Sequence, residues 1–289
     1  MNRAISLLLA FCILAALLAQ HRSTADFIAV DVSEKAKGGV VMLELTALSY
    51  TAVSQTARQR EILTGHSTGY ILNKEGYILS SESAVRDAEL VEATLADGTK
   101  HPLDIVVVDK GYSLALLKMK KPPSNLQPVK MGDSDALRQG DSVVVVGSAG
   151  GYGHTVSYGI VSATRSVRLP SGQLIPKMIQ SDVVVNVGNQ GSPLFNAKGE
   201  VIGMHALFGG GGTAGPAMQN VTFFLPSNLL KRVASELIAT KEAAFRPWLG
   251  IQPWSGSLIR GGGVVELTDD LKMYLDLPDE YWDVGMLIY

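Results

Sequence analysis

The chain has 289 residues, of which 46% are hydrophobic and 18% charged, with a formal net charge of −2. This balance allows a sizeable buried core and excludes a largely disordered chain. With no marked run of Lys or Arg, it also excludes a basic nucleic-acid-binding surface. The length suits one large domain followed by a smaller one.

The first 25 residues have the pattern of an export signal. Arg3 supplies a positive charge, an apolar run extends from Ala4 to Ala19, and Ser23-Thr24-Ala25 offers small residues for cleavage. The run is shorter than the ~20 residues of a membrane-spanning helix. We therefore expect residues 1–25 to be a cleaved signal peptide, with an uncleaved membrane anchor as the alternative. Both predict an exported protein, periplasmic or otherwise extracytoplasmic.

Cysteine and histidine usage argues against metal chemistry. Cys12 is the only cysteine and lies inside the signal segment, so a mature chain has no disulfide and no thiolate ligand. The five histidines lack a His-x-x-x-His spacing with a nearby carboxylate. We therefore predict neither a metal site nor a cofactor.

Short strands are predicted one after another from Gly38 to about Phe224. Asn73-Lys74-Glu75-Gly76 separates two apolar runs, as in a hairpin, and Asp97-Gly98 follows the alternating run Val91–Leu95. Val143–Val146 is a continuous β-branched run, typical of a strand buried on both faces. This pattern is typical of an all-β barrel or sandwich.

One amphipathic helix is predicted after the strands. Ser227 is expected as its N-cap and the helix is expected to end near Ala243. Its apolar residues recur at four-residue spacing: Leu229, Val233 and Leu237. This apolar stripe is expected to pack on the barrel, and the glycine run Gly209–Gly212 predicts a mobile loop before the helix.

Several sequence blocks resemble those of one protease family. The block from Gly188 to Leu194, Gly-Asn-Gln-Gly-Ser-Pro-Leu, resembles the Gly-Asn-Ser-Gly-Gly-Pro-Leu block of HtrA/Do-like serine proteases, with Ser192 in place of a glycine. Ser67–Val85 resembles the block that leads to the family's catalytic histidine, and Val108–Lys118 resembles its aspartate block. The resemblance covers residues 38–243. It implies an all-β, trypsin-like fold of two six-stranded antiparallel β-barrels with a C-terminal helix.

The family's catalytic positions hold other residues in this chain. The resemblance places Gln190 at the serine position, Ser83 at the histidine position and Ser113 at the aspartate position. Acyl transfer on this fold needs an activated hydroxyl, an imidazole that moves its proton and a carboxylate that orients the imidazole. Gln190, Ser83 and Ser113 supply none of these functions. The expected protein is therefore a degenerate, non-catalytic member, a pseudoprotease.

The backbone around the former nucleophile is expected to keep some binding capacity. The N–H groups of Gly188 and Gln190 correspond to the oxyanion hole, which binds a carbonyl or carboxylate oxygen. The longer Gln190 side chain is expected either to occupy that carbonyl site or to bond a peptide backbone. Gly188 and Gly191 also have a purely structural interpretation, as glycines required by a tight turn.

Three functional hypotheses follow. The first is a protein that binds peptides or unfolded proteins in the old cleft, or regulates an active HtrA-type protease. The second is a serine endopeptidase with atypical residues, for which Ser192 and His205 are the candidates. The third is an assembly subunit, because the resemblance implies trimers built through N-terminal segments that contain Phe27. The remaining histidines are expected to be surface or structural residues at turns or strand starts: His66, His101 and His154.

Residues 245–289 resemble the N-terminal part of an HtrA-type PDZ domain. Leu249-Gly250-Ile251 matches the carboxylate-binding loop of such a domain and is the candidate peptide-binding segment. Val284–Ile288 resembles a following strand. The sequence ends at Tyr289, about half-way through such a module, so we interpret this part as a fragment or as a half-domain that pairs with another chain.

Overall fold

The computed structural model of the chain divides into two compact units, Met1–Ala244 and Phe245–Tyr289. It describes residues 24–52, 58–86, 88–168, 174–207 and 220–243 of the first unit and three two-residue strands of the second. Three predicted features lie outside the described residues: most of the signal segment, the Gly209–Gly212 loop and Leu249-Gly250-Ile251.

The first unit is built mainly of strands. Its described α-helices are α1 (Thr24–Ala36), α2 (Glu82–Val85) and α3 (Ser227–Thr240). Its strands are β1 (Val40–Ala52), β2 (Arg58–Ile71), β3 (Tyr77–Ser81), β4 (Leu90–Thr94), β5 (Lys100–Asp109), β6 (Leu114–Met119), β7 (Lys130–Met131), β8 (Ser142–Gly147), β9 (Thr155–Arg168), β10 (Leu174–Ser181), β11 (Pro193–Asn196), β12 (Glu200–Leu207) and β13 (Thr222–Pro226). None of the described helices has both the length and the apolar character needed to cross a membrane.

The first six strands close into an antiparallel barrel. They lie in the order β1-β2-β3-β6-β5-β4, and β1 completes the circle by pairing with both β2 and β4. The barrel is filled by one apolar cluster, which includes Val41, Leu43, Ile71, Ile78, Val91, Leu103, Leu117 and Met119. The predicted turn between β2 and β3 is confirmed, because Gly76 has a φ of +83° and its N–H donates to the Asn73 carbonyl.

Strands β8 to β13 form the second barrel. They run in the order β11-β8-β9-β10-β13-β12, and the pairing of β11 with β12 closes the ring. The short strand β7 adds to β12 in parallel. The interior contains Val143, Val145, Val161, Ile179, Leu194, Ile202 and Phe224. The fold predicted from the resemblance, two six-stranded antiparallel barrels of trypsin-like type, is confirmed.

Strand β8 is buried on both faces, as its β-branched run predicts. Val143 and Val145 point into the barrel, whereas Val144 and Val146 belong to a second core that includes Val32 and Ala36 of α1. Helix α1 was not predicted from the sequence. It covers the outer side of β8 and begins at Thr24, inside the segment where cleavage is expected.

Helix α3 packs as predicted but its N-terminus differs. Leu230, Val233 and Leu237 lie in the same core as residues of both barrels. The prediction of Ser227 as N-cap is wrong, because Pro226 occupies that position and Ser227 is the first helical residue. The buried Ser227 hydroxyl instead donates to the Gly132 carbonyl at 2.8 Å.

The C-terminus of α3 also differs from the prediction. The helix ends at Thr240 rather than near Ala243. Lys241 follows in the left-handed conformation, with a φ of +56°, and its N–H still donates to the Leu237 carbonyl at 2.9 Å. A left-handed residue after the last turn is a common way to end a helix.

Within the second unit the structure describes three short antiparallel strands. These are β14 (Gln252–Pro253), β15 (Val264–Val265) and β16 (Met286–Leu287), with β16 in the middle. Strand β16 lies within the predicted strand Val284–Ile288. The partial PDZ domain stays a prediction.

Candidate functional site

The loop before β11 forms a tight turn that only glycine permits at two positions. Gly188 has a φ of +97° and Gly191 a φ of +79°. A Cβ on Gly188 would lie 2.2 Å from the Ser148 carbonyl oxygen, and one on Gly191 would lie 2.3 Å from the Thr68 carbonyl oxygen. Both glycines therefore meet the structural requirement of the turn, whatever else they do.

Strand β2 of the first barrel binds this loop of the second barrel through hydrogen bonds. The Gln190 carbonyl accepts from the Thr68 N–H at 3.0 Å and from Ser67 Oγ at 2.7 Å. Thr68 Oγ1 donates to the Gly188 carbonyl at 2.7 Å and accepts from the Ser148 N–H at 2.9 Å. The loop that contains Gln190 is therefore fixed to strand β2 of the first barrel by main-chain and hydroxyl bonds.

The Gln190 side chain turns back onto its own loop. Its Oε1 accepts from the Gly188 N–H at 2.8 Å. That N–H is the donor that the resemblance assigns to the oxyanion hole, so the side-chain amide oxygen stands where a carbonyl oxygen of a bound peptide is expected. Within the described part of the chain, neither the Gln190 N–H nor Nε2 has a hydrogen-bond partner.

The segments that carry Ser83 and Ser113 meet at the same place. Ser83 lies in α2 and is exposed, and its Oγ bonds Ser81 Oγ at 2.9 Å. The Ser113 carbonyl accepts from the Glu82 N–H at 3.0 Å, and Ser113 itself has a φ of +55°. A Cβ on Gly191 would lie 2.8 Å from the Ser81 N. The fold therefore brings together the backbone around all three predicted catalytic positions.

The carboxylate next to Ser83 is already paired. Glu82 accepts from Arg86 Nε at 2.9 Å and from Arg86 Nη2 at 2.8 Å. This hydrogen-bonded guanidinium lowers the pKa of Glu82 below its ordinary value. The group therefore stays ionised, and its two oxygens are directed to arginine and not to an imidazole.

Ser192 lies just before β11 and His205 lies in β12, and no hydrogen bond joins Ser192 Oγ to the His205 ring. The His205 N–H donates to the Ser192 carbonyl at 2.8 Å, and both residues are fully buried. His205 Nδ1 lies 3.1 Å from the Asn189 carbonyl oxygen. Ser192 Oγ packs against Gly147 and makes no hydrogen bond to any residue that the structure describes. Burial of the hydroxyl also separates it from a substrate in solvent.

The remaining histidines lie elsewhere in the fold. The expectation for His66 is corrected, because it lies within β2, with its ring against Gly151, and not at a turn or strand start. His101 Nε2 lies 3.0 Å from Thr99 Oγ1 in the exposed β4–β5 hairpin. His154 occupies a turn with a φ of +57°, and burial lowers its pKa. The described residues contain no cluster of metal ligands.

Comparisons with known proteins agree with this fold. Residues 67–204 match the family model of a trypsin-like peptidase domain. A probable periplasmic serine endoprotease DegP-like of Marinomonas sp. (strain MWYL1) is 38% identical over 185 residues, which are 64% of this chain and 38% of that protein. A protein of the same name from Brucella suis biovar 1 (strain 1330) is 36% identical over 215 residues, which are 74% of this chain and 38% of that protein.

Solved structures of an HtrA-type protease have the same fold. The structure of the HtrA-type protease AlgW with a tripeptide aligns over 86% of this chain and 72% of its own, with a TM-score of 0.64 and 26% identity. The structure of AlgW with a decapeptide aligns over 89% and 77%, with a TM-score of 0.67 and 24% identity. The chain belongs to the HtrA/Do-like family of trypsin-fold proteins. It spans about two-fifths of the length of the curated relatives it matches.

Sequence reasoning located the loop of this HtrA-like domain but missed the residues that hold it. Ser67 and Thr68 are consecutive, and both are buried in β2. Two consecutive hydroxyl residues inside a strand are a signal that could have been used, because a buried hydroxyl needs a hydrogen-bond partner. The partners themselves, Gly188 and Gln190, lie about 120 residues away along the chain.

Proposed function

We propose that this chain is a non-catalytic member of the HtrA/Do-like family, which binds peptides or segments of unfolded proteins in the cleft between its barrels. The observation that carries the proposal is the hydrogen bond from the Gly188 N–H to Gln190 Oε1. The residue that follows Gly188-Asn189 carries an amide, which is a poor nucleophile. Its oxygen also takes the donor that a proteolytic transition state needs.

The surroundings of Ser83 support the same proposal. The partner of Ser83 Oγ is another hydroxyl, that of Ser81, which does not act as a base at neutral pH. The nearest carboxylate along the chain, Glu82, is bound by Arg86. Without a proton acceptor beside a reactive oxygen, the acyl transfer of a serine protease has no route.

The relatives support the location and the class of ligand. The curated relatives are named periplasmic serine endoproteases, which supports an extracytoplasmic location for this chain. The AlgW structures contain a tripeptide or a decapeptide, which supports peptides as the ligand class. The proposal excludes the proteolytic activity of these relatives, because Gln190 stands at the proposed nucleophile position.

A fluorophosphonate probe and casein together test the loss of catalysis. We expect no labelling and no cleavage by the natural chain. A triple variant, Ser83→His with Ser113→Asp and Gln190→Ser, is the positive control, and we expect it to gain labelling. Labelling of the natural chain, or cleavage that Ser192→Ala abolishes, would establish the atypical endopeptidase instead.

Binding is tested separately from catalysis. We expect fluorescein-labelled, reduced casein to increase in fluorescence anisotropy when the natural chain is added, with saturation. A folded chain that leaves the anisotropy unchanged would contradict the peptide-binding half of the proposal. Fully folded ribonuclease with the same label is the control for non-specific association.

Two partner proposals rest on the family resemblance alone. A trimer is expected from the resemblance, and light scattering on the mature chain distinguishes it from a monomer. Regulation of an active HtrA-type protease is tested by adding this chain to such a protease and measuring the rate of casein cleavage. An unchanged rate at saturating chain would contradict the regulatory role.

A further inference from the structure

We infer that Gln190 Oε1 is a displaceable internal ligand of the Gly188 N–H, and that a carbonyl or carboxylate oxygen of a peptide binds by taking its place. The inference rests on the proposed peptide-binding function of the same cleft. It adds the atom at which the peptide is held and the side chain that must move first.

The donor is fixed in position. The Val187 carbonyl, in the same peptide group as the Gly188 N–H, accepts from the Gly150 N–H at 2.7 Å. A planar trans peptide directs its N–H opposite to its carbonyl, so this bond sets the direction of the donor. The carbonyl of Gly188 is held in turn by Thr68 Oγ1. The N–H is therefore ready for a ligand without any rearrangement of the loop.

The Gln190 side chain can leave the Gly188 N–H while the loop stays in place. The backbone carbonyl of Gln190 is held by Ser67 and Thr68, so only the side chain has to turn away. Gln190 is partly exposed, and its Nε2 has no partner among the described residues. Displacement therefore exchanges one hydrogen bond for another and returns rotamer freedom to the side chain.

The chemistry of the donor defines the ligand. A backbone N–H requires an acceptor, so a main-chain carbonyl or a C-terminal carboxylate fits, whereas an ammonium group does not. Val184 and Val187, in the segment before the loop, are exposed by 56% and 71%, which suits an apolar peptide.

The internal hydrogen bond is tested first without any ligand. The chain contains three Val-Gly pairs, Val146-Gly147, Val187-Gly188 and Val284-Gly285, so labelling with ¹³C-carbonyl valine and ¹⁵N-glycine reduces the observed glycine amides to three. The signal that disappears in Val187→Ala is that of Gly188. In Gln190→Ala we expect the exchange of this amide with solvent to become at least several-fold faster. Gln180→Ala is the matched control. It removes from β10 an amide oxygen that accepts a hydrogen bond from Arg165 Nε at 2.6 Å. An unchanged Gly188 exchange rate in Gln190→Ala would overturn the inference.

Ligand exchange is tested with two labelled peptides, fluorescein-Gly-Val-Val-Val as the free acid and as its C-terminal N-methylamide. If main-chain carbonyls bind, Gln190→Ala binds both peptides roughly two- to tenfold more tightly, as expected for the net contribution of one hydrogen bond. If the carboxylate binds, only the acid gains. Gln190→Glu is expected to bind the acid more weakly than the natural chain, because a carboxylate both holds the N–H more strongly and repels the ligand.

The two arms separate the failure of this inference from the failure of the proposed function. Binding of neither peptide by any variant contradicts peptide binding in this cleft and with it the exchange. The exchange rate of the Gly188 amide then still shows whether the hydrogen bond between Gly188 and Gln190 exists. Equal affinity of Gln190→Ala and the natural chain, with a freed Gly188 amide, contradicts the exchange alone.

Discussion

Thr68 Oγ1 donates a 2.7 Å hydrogen bond to the carbonyl of Gly188, a residue 120 positions further along the chain. The same oxygen accepts from the Ser148 N–H at 2.9 Å. One buried hydroxyl therefore satisfies two main-chain groups of the second barrel from a strand of the first. The arrangement of the site depends on this junction between barrels.

Replacement of Thr68 by valine keeps the shape and removes the hydroxyl. Because two buried main-chain groups lose their partner, we expect the free energy of unfolding to fall by about 2–4 kcal/mol. Urea unfolding measures the change. Thr68→Ser keeps the hydroxyl and loses one methyl, so it is expected to cost only about 1 kcal/mol. Equal stability of the valine and serine variants would contradict the role of the hydroxyl.

A comparison of alanine substitutions at Gly188 and Gly98 separates the cost of backbone strain from the cost of a steric clash. Both have left-handed φ values, +97° and +82°, but a Cβ at Gly98 would have no atom within 4 Å. We expect Gly98→Ala to cost about 1–2 kcal/mol from the left-handed conformation alone. Gly188→Ala also meets the Ser148 carbonyl, so it is expected to cost clearly more in the same urea experiment. A smaller loss at Gly188 than at Gly98 would contradict the close approach.

Tyr70 places a hydroxyl in the core between the barrels. It is fully buried, and its oxygen has no hydrogen-bond partner among the residues described. An unsatisfied buried hydroxyl costs stability, so Tyr70→Phe is expected to raise the free energy of unfolding by about 1 kcal/mol. Tyr158→Phe is the control, because the hydroxyl of Tyr158 is at the surface and bonds Ser142 Oγ at 2.7 Å. A loss of stability in Tyr70→Phe would show that the hydroxyl has a partner.

The same tyrosine predicts a loss of stability in alkali. Burial raises the pKa of Tyr70 well above its ordinary value. The folded chain therefore keeps a proton that the unfolded chain releases, and stability falls as the pH rises above the ordinary tyrosine pKa of about 10. We expect Tyr70→Phe to lose less stability than the natural chain when unfolding is compared at about pH 9 and about pH 11. Parallel losses in the two proteins would contradict this.

Glu82 predicts a loss of stability in acid. The pKa of its carboxyl is lowered by Arg86, so the stabilising contribution is present above the ordinary glutamate pKa and is lost as the pH falls through the folded value. We expect Arg86→Ala to cost about 1 kcal/mol at neutral pH, and we expect this cost to shrink as the pH is lowered through the folded pKa of Glu82. Arg138→Ala removes an arginine that is 84% exposed in its pair with Asp141 and serves as control. An acid dependence identical to that of the natural chain would contradict the role of Arg86.

Local patterns in the sequence predicted much of the fold. The hairpin at Asn73–Gly76 and the doubly buried run Val143–Val146 follow from turn chemistry and side-chain alternation, which act over a few residues. Helix α1 was missed because residues 26–37, between the predicted signal segment and the first predicted strands, were given no secondary structure. Its apolar residues Ile28 and Val32, four apart with no Gly or Pro between Thr24 and Ala36, were a usable signal.

The site was predicted only in outline. The sequence identified Gln190 and left two orientations of its amide open. The structure has one of them, and the reason is a bond from the Gly150 N–H that directs the Gly188 donor toward the side chain. Such a bond joins distant parts of the chain and has no trace in local sequence. The Ser227 N-cap failed for a similar reason, because its hydroxyl has a partner on another element.

Helix α1 covers an apolar part of the second barrel. Its residues Val32 and Ala36 shield the outward valines Val144 and Val146 of β8. A shortened protein that starts at Gly38, where the family resemblance begins, would expose these valines to water as an apolar patch on the outside of the barrel. We expect such a protein to precipitate or self-associate, whereas one that starts at Thr24 remains dispersed.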